Sequence, residues 1–281
     1  MDINWFPGHM NKSMRDIENN LAVSNCAVYV LDARAVLSCF NPSFDAKIDI
    51  PIVYVLNKAD TVQADVVNGW LKRLSVGKNA VIATDGADVS TRKKLIAAVK
   101  SVCSEAIAKQ KRRGLNEHLR AIVLGVPNTG KSTIINTLCG KAWLNTGDRA
   151  GVTRTATWCR VDNTLDVLDT PGTLYPKISD RKAGENLAII GSIKDEVVDT
   201  TELACALVSR LRTVAPEAVN ARYGFDMNLI DDDYSVLEAI AKKRAFKLRG
   251  GELDCERAAV ALIEDFRKCR LGKIALERAD D

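Results

Sequence analysis

Gly125-Val-Pro-Asn-Thr-Gly-Lys-Ser132 is the stretch on which the reading of this chain turns. The apolar run Ala121-Ile-Val-Leu124 precedes it and Thr133-Ile-Ile-Asn-Thr-Leu138 follows, a pattern of strand, glycine-rich turn and helix start. In that setting GxxxxGK[ST] predicts a loop that surrounds phosphates. Glycines at 125 and 130 permit the positive φ angles that turn successive backbone N–H groups toward an anion. A helix starting near Lys131 adds the positive end of its dipole. Lys131 is expected to reach the β- and γ-phosphates and the Ser132 hydroxyl to ligate Mg²⁺, with Thr129, Gly130 and Thr133 completing the loop. An ordinary glycine-containing turn is the competing reading, and the strand before and helix after argue against it.

Upstream lie three more apolar runs, Cys26-Ala-Val-Tyr-Val-Leu31, Ile52-Val-Tyr-Val-Leu56 and Ala80-Val-Ile-Ala83. Continuous rather than alternating apolar runs mark strands covered on both faces of a parallel sheet. Helical patterns over 66–74 and 91–108 separate them, the second burying Leu95, Ile96 and Val99. The alternation predicts a doubly wound α/β sheet whose ligand sits beyond the strand C-termini. Asn57-Lys-Ala-Asp60 stands at such an end. A buried carboxylate at Asp60 can accept from guanine N1–H and the 2-amino group, Asn57 can address the O6/N7 edge, and Lys58 can lie against the base. Adenine lacks both donors, so rejection on the order of 10⁴-fold is expected from such a site. Thr84, in Ala83-Thr-Asp85, is the best candidate for a further base-contacting element.

Downstream, Gly151-Val-Thr-Arg154 lies in a polar, glycine-containing stretch suited to a mobile switch, and Thr153 is the natural second hydroxyl ligand for Mg²⁺. Leu165-Asp-Val-Leu168 then leads into Asp169-Thr-Pro-Gly172, where Asp169 is expected to hold Mg²⁺ through water and the Gly172 N–H to bond the γ-phosphate. At the other end, Asn4-Trp-Phe-Pro-Gly-His-Met10 contains His9, one of two histidines. After it Met10, Met14, Ile17 and Leu21 fall on one helical face, with the Trp and Phe as its anchors. An isolated histidine is more often a hydrogen-bonded structural residue than a catalytic one.

The order of these motifs is unusual. An NKxD sequence ordinarily follows the phosphate loop, whereas here NKAD (57–60) precedes GVPNTGKS (125–132), GVTR (151–154) and DTPG (169–172). The chain therefore looks like a circularly permuted GTPase. With WFPGHM at 5–10, DAR at 32–34 and GGELD…RAA…DFR between 250 and 267, it resembles the bacterial ribosome-biogenesis GTPase A (RbgA/YlqF) family over nearly its whole length. That resemblance implies a cytoplasmic, GTP-hydrolysing factor acting late in assembly of the large ribosomal subunit, with the precursor particle and its rRNA as partners. Position 173 is Thr, where Ras-like enzymes carry a water-orienting Gln, and the resemblance implies that His9 substitutes for it. The GxPNxGKS loop is also similar to those of potassium-activated GTPases, in which the residue at Asn128 helps ligate K⁺; a residue that merely shapes the loop is the alternative.

Composition fits this reading without forcing it. At 281 residues, 47% apolar and 27% charged, with a net charge of +4, the sequence is that of a globular, mildly basic protein. Its eight cysteines form no CxxC pair and read as reduced core thiols of a cytosolic chain. No run approaches the ~20 apolar residues of a membrane span, and Met1-Asp-Ile-Asn-Trp-Phe-Pro is neither a signal nor a transit peptide. A monomer is expected, with a permuted GTPase domain over 1–182 and a smaller all-helical domain over 183–281. In the latter, Leu203, Leu207 and Leu211 recur at helical spacing, as do Ala259, Leu262, Ile263 and Phe266. Lys242-Lys-Arg-Ala-Phe-Lys-Leu-Arg249 and Lys109-Gln-Lys-Arg-Arg113 are basic; either run is a solvated face or an RNA contact, with Lys243 and Lys247 one helical turn apart. Two further functional classes compete with this reading: a GTP-sensing RNA-binding module without useful turnover, and a nucleotide kinase, which leaves NKAD unexplained.

Overall fold

Three of the unbroken apolar runs become interior strands, where both faces are covered, and the run over 80–83 becomes a partly buried edge strand. In β1 (Cys26–Asp32) all seven residues are buried. It is joined by β2 (Ile52–Asn57), β3 (Ala80–Thr84), β4 (Leu119–Leu124), β5 (Thr157–Arg160) and β6 (Leu165–Asp169). The computed structural model describes residues 10–42, 47–85, 89–140, 157–172, 174, 178 and 180–281. The six strands form one sheet in the order β3-β2-β1-β4-β6-β5, parallel throughout except for β5 against β6. The chain thus lays β1, β2 and β3 toward one edge, returns to place β4 beside β1, and continues toward the other edge. Strand order reverses between β1 and β4, which is where a doubly wound sheet opens a ligand crevice. Register aligns Asp32, Asn57 and Thr84 in one row at that end.

Alternate residues of the sheet serve two cores. Cys26, Val28 and Val30 join Leu95 and Val99 of the helix Val89–Val102 and Ile134, Ile135 and Leu138 of the helix Lys131–Cys139. Ala27, Tyr29 and Leu31 join Trp70 of the helix Ala64–Leu74 and Ile17 and Leu21 of the helix Met10–Leu21. This second core runs on without interruption into Leu203, Leu207 and Leu211 of the helix Thr200–Val214 and into Leu262, Ile263 and Phe266 of the helix Cys255–Arg267. The C-terminal helices are therefore seated on the sheet by shared apolar burial. The last residues stitch them down: Ile274 N donates to Thr61 O at 3.1 Å and Leu276 N to Arg34 O at 2.7 Å. The Glu277 carboxylate accepts from Ser38 N, Ser38 Oγ and Asn186 Nδ2.

Two local expectations of secondary structure change, and one strand was not foreseen. The helix expected over 91–108 is two helices, Val89–Val102 and Ser104–Arg112, separated at the buried Cys103, whose φ −92 and ψ 11 leave the helical region. Strand β5 carried little sequence signal because only Cys159 of its four residues is buried, as befits an edge. The basic run does not continue a helix. The helix Asp233–Lys243 ends in an Arg244 cap, Ala245 takes φ +53, and Lys247 pairs with Leu253 in a short bridge around the Gly250-Gly251 turn. Lys243 and Lys247 are thus not one helical turn apart. All eight cysteines are free thiols; Cys26, Cys39, Cys103 and Cys159 are buried in the core, and Cys139, Cys205, Cys255 and Cys269 are half-buried rather than core residues.

Candidate functional site

The phosphate loop leaves β4 with Gly125 at φ +146 and enters the helix Lys131–Cys139 through Gly130 at φ +94. Space as well as dihedral angle dictates both glycines. A Cβ on Gly125 would stand 2.4 Å from Val30 O, and one on Gly130 would stand 2.1 Å from Asn57 Nδ2. Between them, Asn128 holds φ +59, a region costly for most non-glycine residues but tolerated by asparagine. Thr129 is fully buried and its hydroxyl donates to Val126 O at 3.1 Å. Lys131 Nζ donates to the same carbonyl at 2.8 Å. Burial lowers the Lys131 pKa to about 8, against the pull of the neighbouring Asp169 carboxylate. An ammonium held at that cost is poised to gain from an anion.

Asp169 closes β6, wholly buried. Beyond it, Gly172 presses its backbone onto the phosphate loop: a Cβ there would meet Lys131 Nζ at 2.8 Å and Pro127 Cα at 2.9 Å. Ser132 and Thr133 are half-buried in the first turn of the helix. A hydroxyl at 132 and a carboxylate at 169, beside Lys131, are hard oxygen donors of the kind Mg²⁺ takes. His9 and Thr153, and with them Gly151-Val-Thr-Arg154 and Thr173, lie outside the described residues.

The base motif is tied to the phosphate loop. Asn57 Nδ2 donates to Thr129 O at 2.7 Å, and because that carbonyl can only accept, the amide orientation is fixed. Lys58, at φ +57, donates to Asn128 O at 2.8 Å and stands 2.9 Å from Asp32 Oδ2. Asp60, expected to be buried, is exposed in the short turn Ala59–Thr61. The buried Thr84 hydroxyl lies 2.8 Å from that of Thr91.

Sequence reasoning missed how this corner is braced. Asp32 is fully buried, and Arg34 grips it with two hydrogen bonds of 2.9 and 2.7 Å. Burial alone would raise the Asp32 pKa, but Arg34 and Lys58 together hold it well below the ordinary carboxylate range. Arg34 Nη1 continues to Arg267 O at 3.3 Å. The Arg267 side chain caps the helix Arg181–Ile189 through Ala188 O (2.8 Å) and Ile189 O (2.9 Å) and pairs with Asp195. The residues after that helix return to the loop: Asn128 Nδ2 donates to Gly191 O and Ser192 Oγ to Pro127 O, both at 2.7 Å. These contacts close a ring through Asn128, Lys58, Asp32, Arg34, Arg267 and Gly191. A cleft of about 720 Å³ opens beside it, lined among others by Lys58, Asn128, Lys194 and Lys268, within the size range of small-ligand sites. On the ring's far side, Gly191 takes φ +83 just past a helix, and Arg267 ends the DFR sequence.

Residues 120–228 match the family model described as 50S ribosome-binding GTPase. The chain is 33% identical to ribosome biogenesis GTPase A of Bacillus licheniformis over 284 residues, covering all of both chains. It is 28% identical to the Thermotoga maritima protein of the same name, across 99% of this chain and 95% of that one. Mitochondrial ribosome-associated GTPase 1 of Bos taurus is 31% identical, across 98% and 88%. Among solved structures, GNP-bound YlqF from T. maritima superposes with a TM-score of 0.67 at 26% identity, covering 96% of this chain and 99% of that one.

Proposed function

This chain belongs to the ribosome biogenesis GTPase A family and is a GTPase, and from that premise we propose that it acts late in maturation of the large (50S) ribosomal subunit, its hydrolysis stimulated by the precursor particle. The observation that carries the nucleotide reading is the pair of hydrogen bonds from Asn57 and Lys58 to the carbonyls of Thr129 and Asn128, seventy residues away. They hold a base-selecting motif and a phosphate loop at a fixed separation, as recognition of both ends of one nucleotide requires. In this reading Lys131 bears on the β- and γ-phosphates, the Gly172 N–H contacts the γ-phosphate, and Asp60 accepts from guanine. Ser132, Thr153 and Asp169 would hold Mg²⁺, which supplies charge neutralisation between the phosphates.

With its nitrogen engaged by Gly191 O, the Asn128 amide has a set orientation, and its oxygen is the atom a K⁺ ion would take. His9 would orient the attacking water, since residue 173 is not Gln. Residues 1–182 would form the GTPase domain and 183–281 the rRNA-binding part of a cytoplasmic monomer. No helix among the described residues is long and apolar enough to cross a membrane. Steady-state GTP hydrolysis, measured with and without large-subunit precursors, tests the proposal. Particle-dependent stimulation that His9→Ala abolishes is expected. A rate unaffected by the particle, with binding that still depends on GTP, would favour the sensing-module reading instead.

A further inference from the structure

Asp265 lies near the end of the helix Cys255–Arg267 with its side chain 5% exposed. Its carboxylate accepts from Arg222 Nε (2.7 Å) and Nη2 (3.2 Å), from the Tyr223 hydroxyl (3.0 Å) and from Arg270 Nη1 (3.1 Å). Arg244 approaches to 3.8 Å and lies over the Tyr223 ring, 5.2 Å from its centroid. Burial disfavours ionisation here, but the hydrogen bonds from Arg222, Arg270 and Tyr223 outweigh it and keep the carboxyl pKa below its ordinary value. Three guanidinium groups therefore surround one carboxylate anion, a local surplus of two positive charges.

One cation is enough to balance a carboxylate, and three held together repel one another. The arrangement makes physical sense if a second anion completes it. Each guanidinium has five N–H donors in a planar fork, of which Arg222 gives two to Asp265, Arg270 one, and Arg244 none within hydrogen-bond range. Their side chains are 30%, 50% and 37% exposed, so the remaining donors can meet solvent. Asp265 and the Tyr223 ring also pin side chains that would otherwise lose rotamer entropy on binding. Several forks around one centre suit the tetrahedral oxygens of a phosphate, and the exposed Lys242, Lys243 and Lys247 beside Arg244 in the chain add to the attracting field.

We propose that Arg222, Arg244 and Arg270, organised by Asp265, form a phosphodiester-binding site for the rRNA backbone. The proposal rests on the reading that the C-terminal helices meet RNA. It is tested with full-length Arg244→Gln, Arg270→Gln and the double variant, by binding to large-subunit rRNA transcripts across a salt series. The double variant is expected to bind at least tenfold more weakly at 0.1 M salt. Its log–log salt slope should fall by about 1.5, near 0.7–0.9 per lost phosphate contact. Arg→Lys substitutions should restore most of the slope but only part of the affinity, because the charge returns without the fork. GTP hydrolysis without the particle should stay at the wild-type level. If the double variant melts lower yet keeps wild-type affinity and slope, the cluster is a structural ion-pair network and the inference fails alone. If the wild type binds acidic ribosomal proteins but no RNA, the underlying reading fails with it.

Discussion

Asp32 and Asp265 are each surrounded by more cations than one carboxylate can neutralise, and they differ in depth. Around Asp32 both the acid and Arg34 are buried, and each partner hands on a further donor to a backbone carbonyl: Arg34 to Arg267 O, Lys58 to Asn128 O. Around Asp265 the acid is buried but all three arginines reach solvent. The same device thus does two jobs. Inside, excess donors are consumed in bracing the nucleotide corner; at the surface they remain available to a ligand.

Removing each charge in turn puts that contrast to its hardest test. Asp32→Asn leaves the buried Arg34 without its counter-ion and beside the partly exposed Lys58, and a loss of about 3–5 kcal/mol is expected. Asp265→Asn should cost less, about 1–3 kcal/mol, because its arginines can turn to water. Denaturant midpoints measure both, and equal losses would erase the distinction drawn from depth. The pH dependence has a definite sign. Asp32 is more acidic in the folded chain than in the unfolded one, so its contribution is complete above the unfolded carboxylate pKa, ~3.9, and is lost as pH falls toward the folded value. Asp32→Asn should accordingly flatten the acid limb of the stability profile.

The ring can also be opened from the helical side. Arg267→Gln removes the cap on Ala188 O and Ile189 O and the ion pair with Asp195, and a loss of about 2 kcal/mol is expected. Because Gly191 follows that helix and holds Asn128, GTP affinity should fall as well. Ser192→Ala separates the two effects: it deletes only the bond to Pro127 O, at about 1 kcal/mol, and leaves the Arg267 cap in place. Calorimetric GTP titrations that register no change in either variant would show that the helical seat does not govern the phosphate loop.

What was legible beforehand follows the range of the forces involved. Parallel strands announce themselves locally, since a residue covered on both faces must be apolar, and β1, β2, β3, β4 and β6 were all visible as runs. The phosphate loop was visible because its glycines answer to backbone geometry. The close approach that also requires them, Gly130 against Asn57, is a contact between distant segments and left no local trace. The ring is of the same kind: nothing near Arg267 marks it as a cap for residues 188 and 189. The basic run 242–249 misled for the opposite reason. Its composition suggested a continuing helix, while the left-handed turn at Ala245 depends on the return of the chain through Gly250-Gly251.

At the phosphate loop the contrast predicts a pH effect of intermediate size. Lys131 is buried without a full counter-charge, and its pKa is lowered to about 8. Phosphate oxygens would supply that charge and raise the pKa, so binding takes up a proton wherever pH lies between the free and bound values. Affinity for GTP is therefore flat below about pH 8 and declines above it, by at most tenfold per pH unit, ~1.4 kcal/mol. Titrations at pH 7 and pH 9, in buffers of different ionisation enthalpy, report the proton directly. Constant affinity with no proton uptake at pH 9 would mean that Asp169 already compensates Lys131.

The smallest effect sharpens the comparison most, because it sets two neighbours in the chain against each other. Lys243 and Arg244 are both exposed by residue, but Arg244 lies over Tyr223 and within 3.8 Å of Asp265, whereas Lys243 ends its helix in solvent. Lys243→Ala should change stability by no more than about 0.5 kcal/mol, the usual range for a surface position. Arg244→Ala removes a cation–π contact worth roughly 0.5–1 kcal/mol together with a weak ion pair. The two variants should therefore separate by about half to one kcal/mol in thermal or denaturant unfolding. Both lose one positive charge, so general electrostatic attraction to RNA falls equally and cancels in their comparison. Any further loss of RNA affinity in Arg244→Ala then reports the fixed fork rather than net charge. Should the two prove indistinguishable in stability and in RNA binding, Arg244 is as loosely held as the lysine beside it, and depth around Asp265 organises nothing.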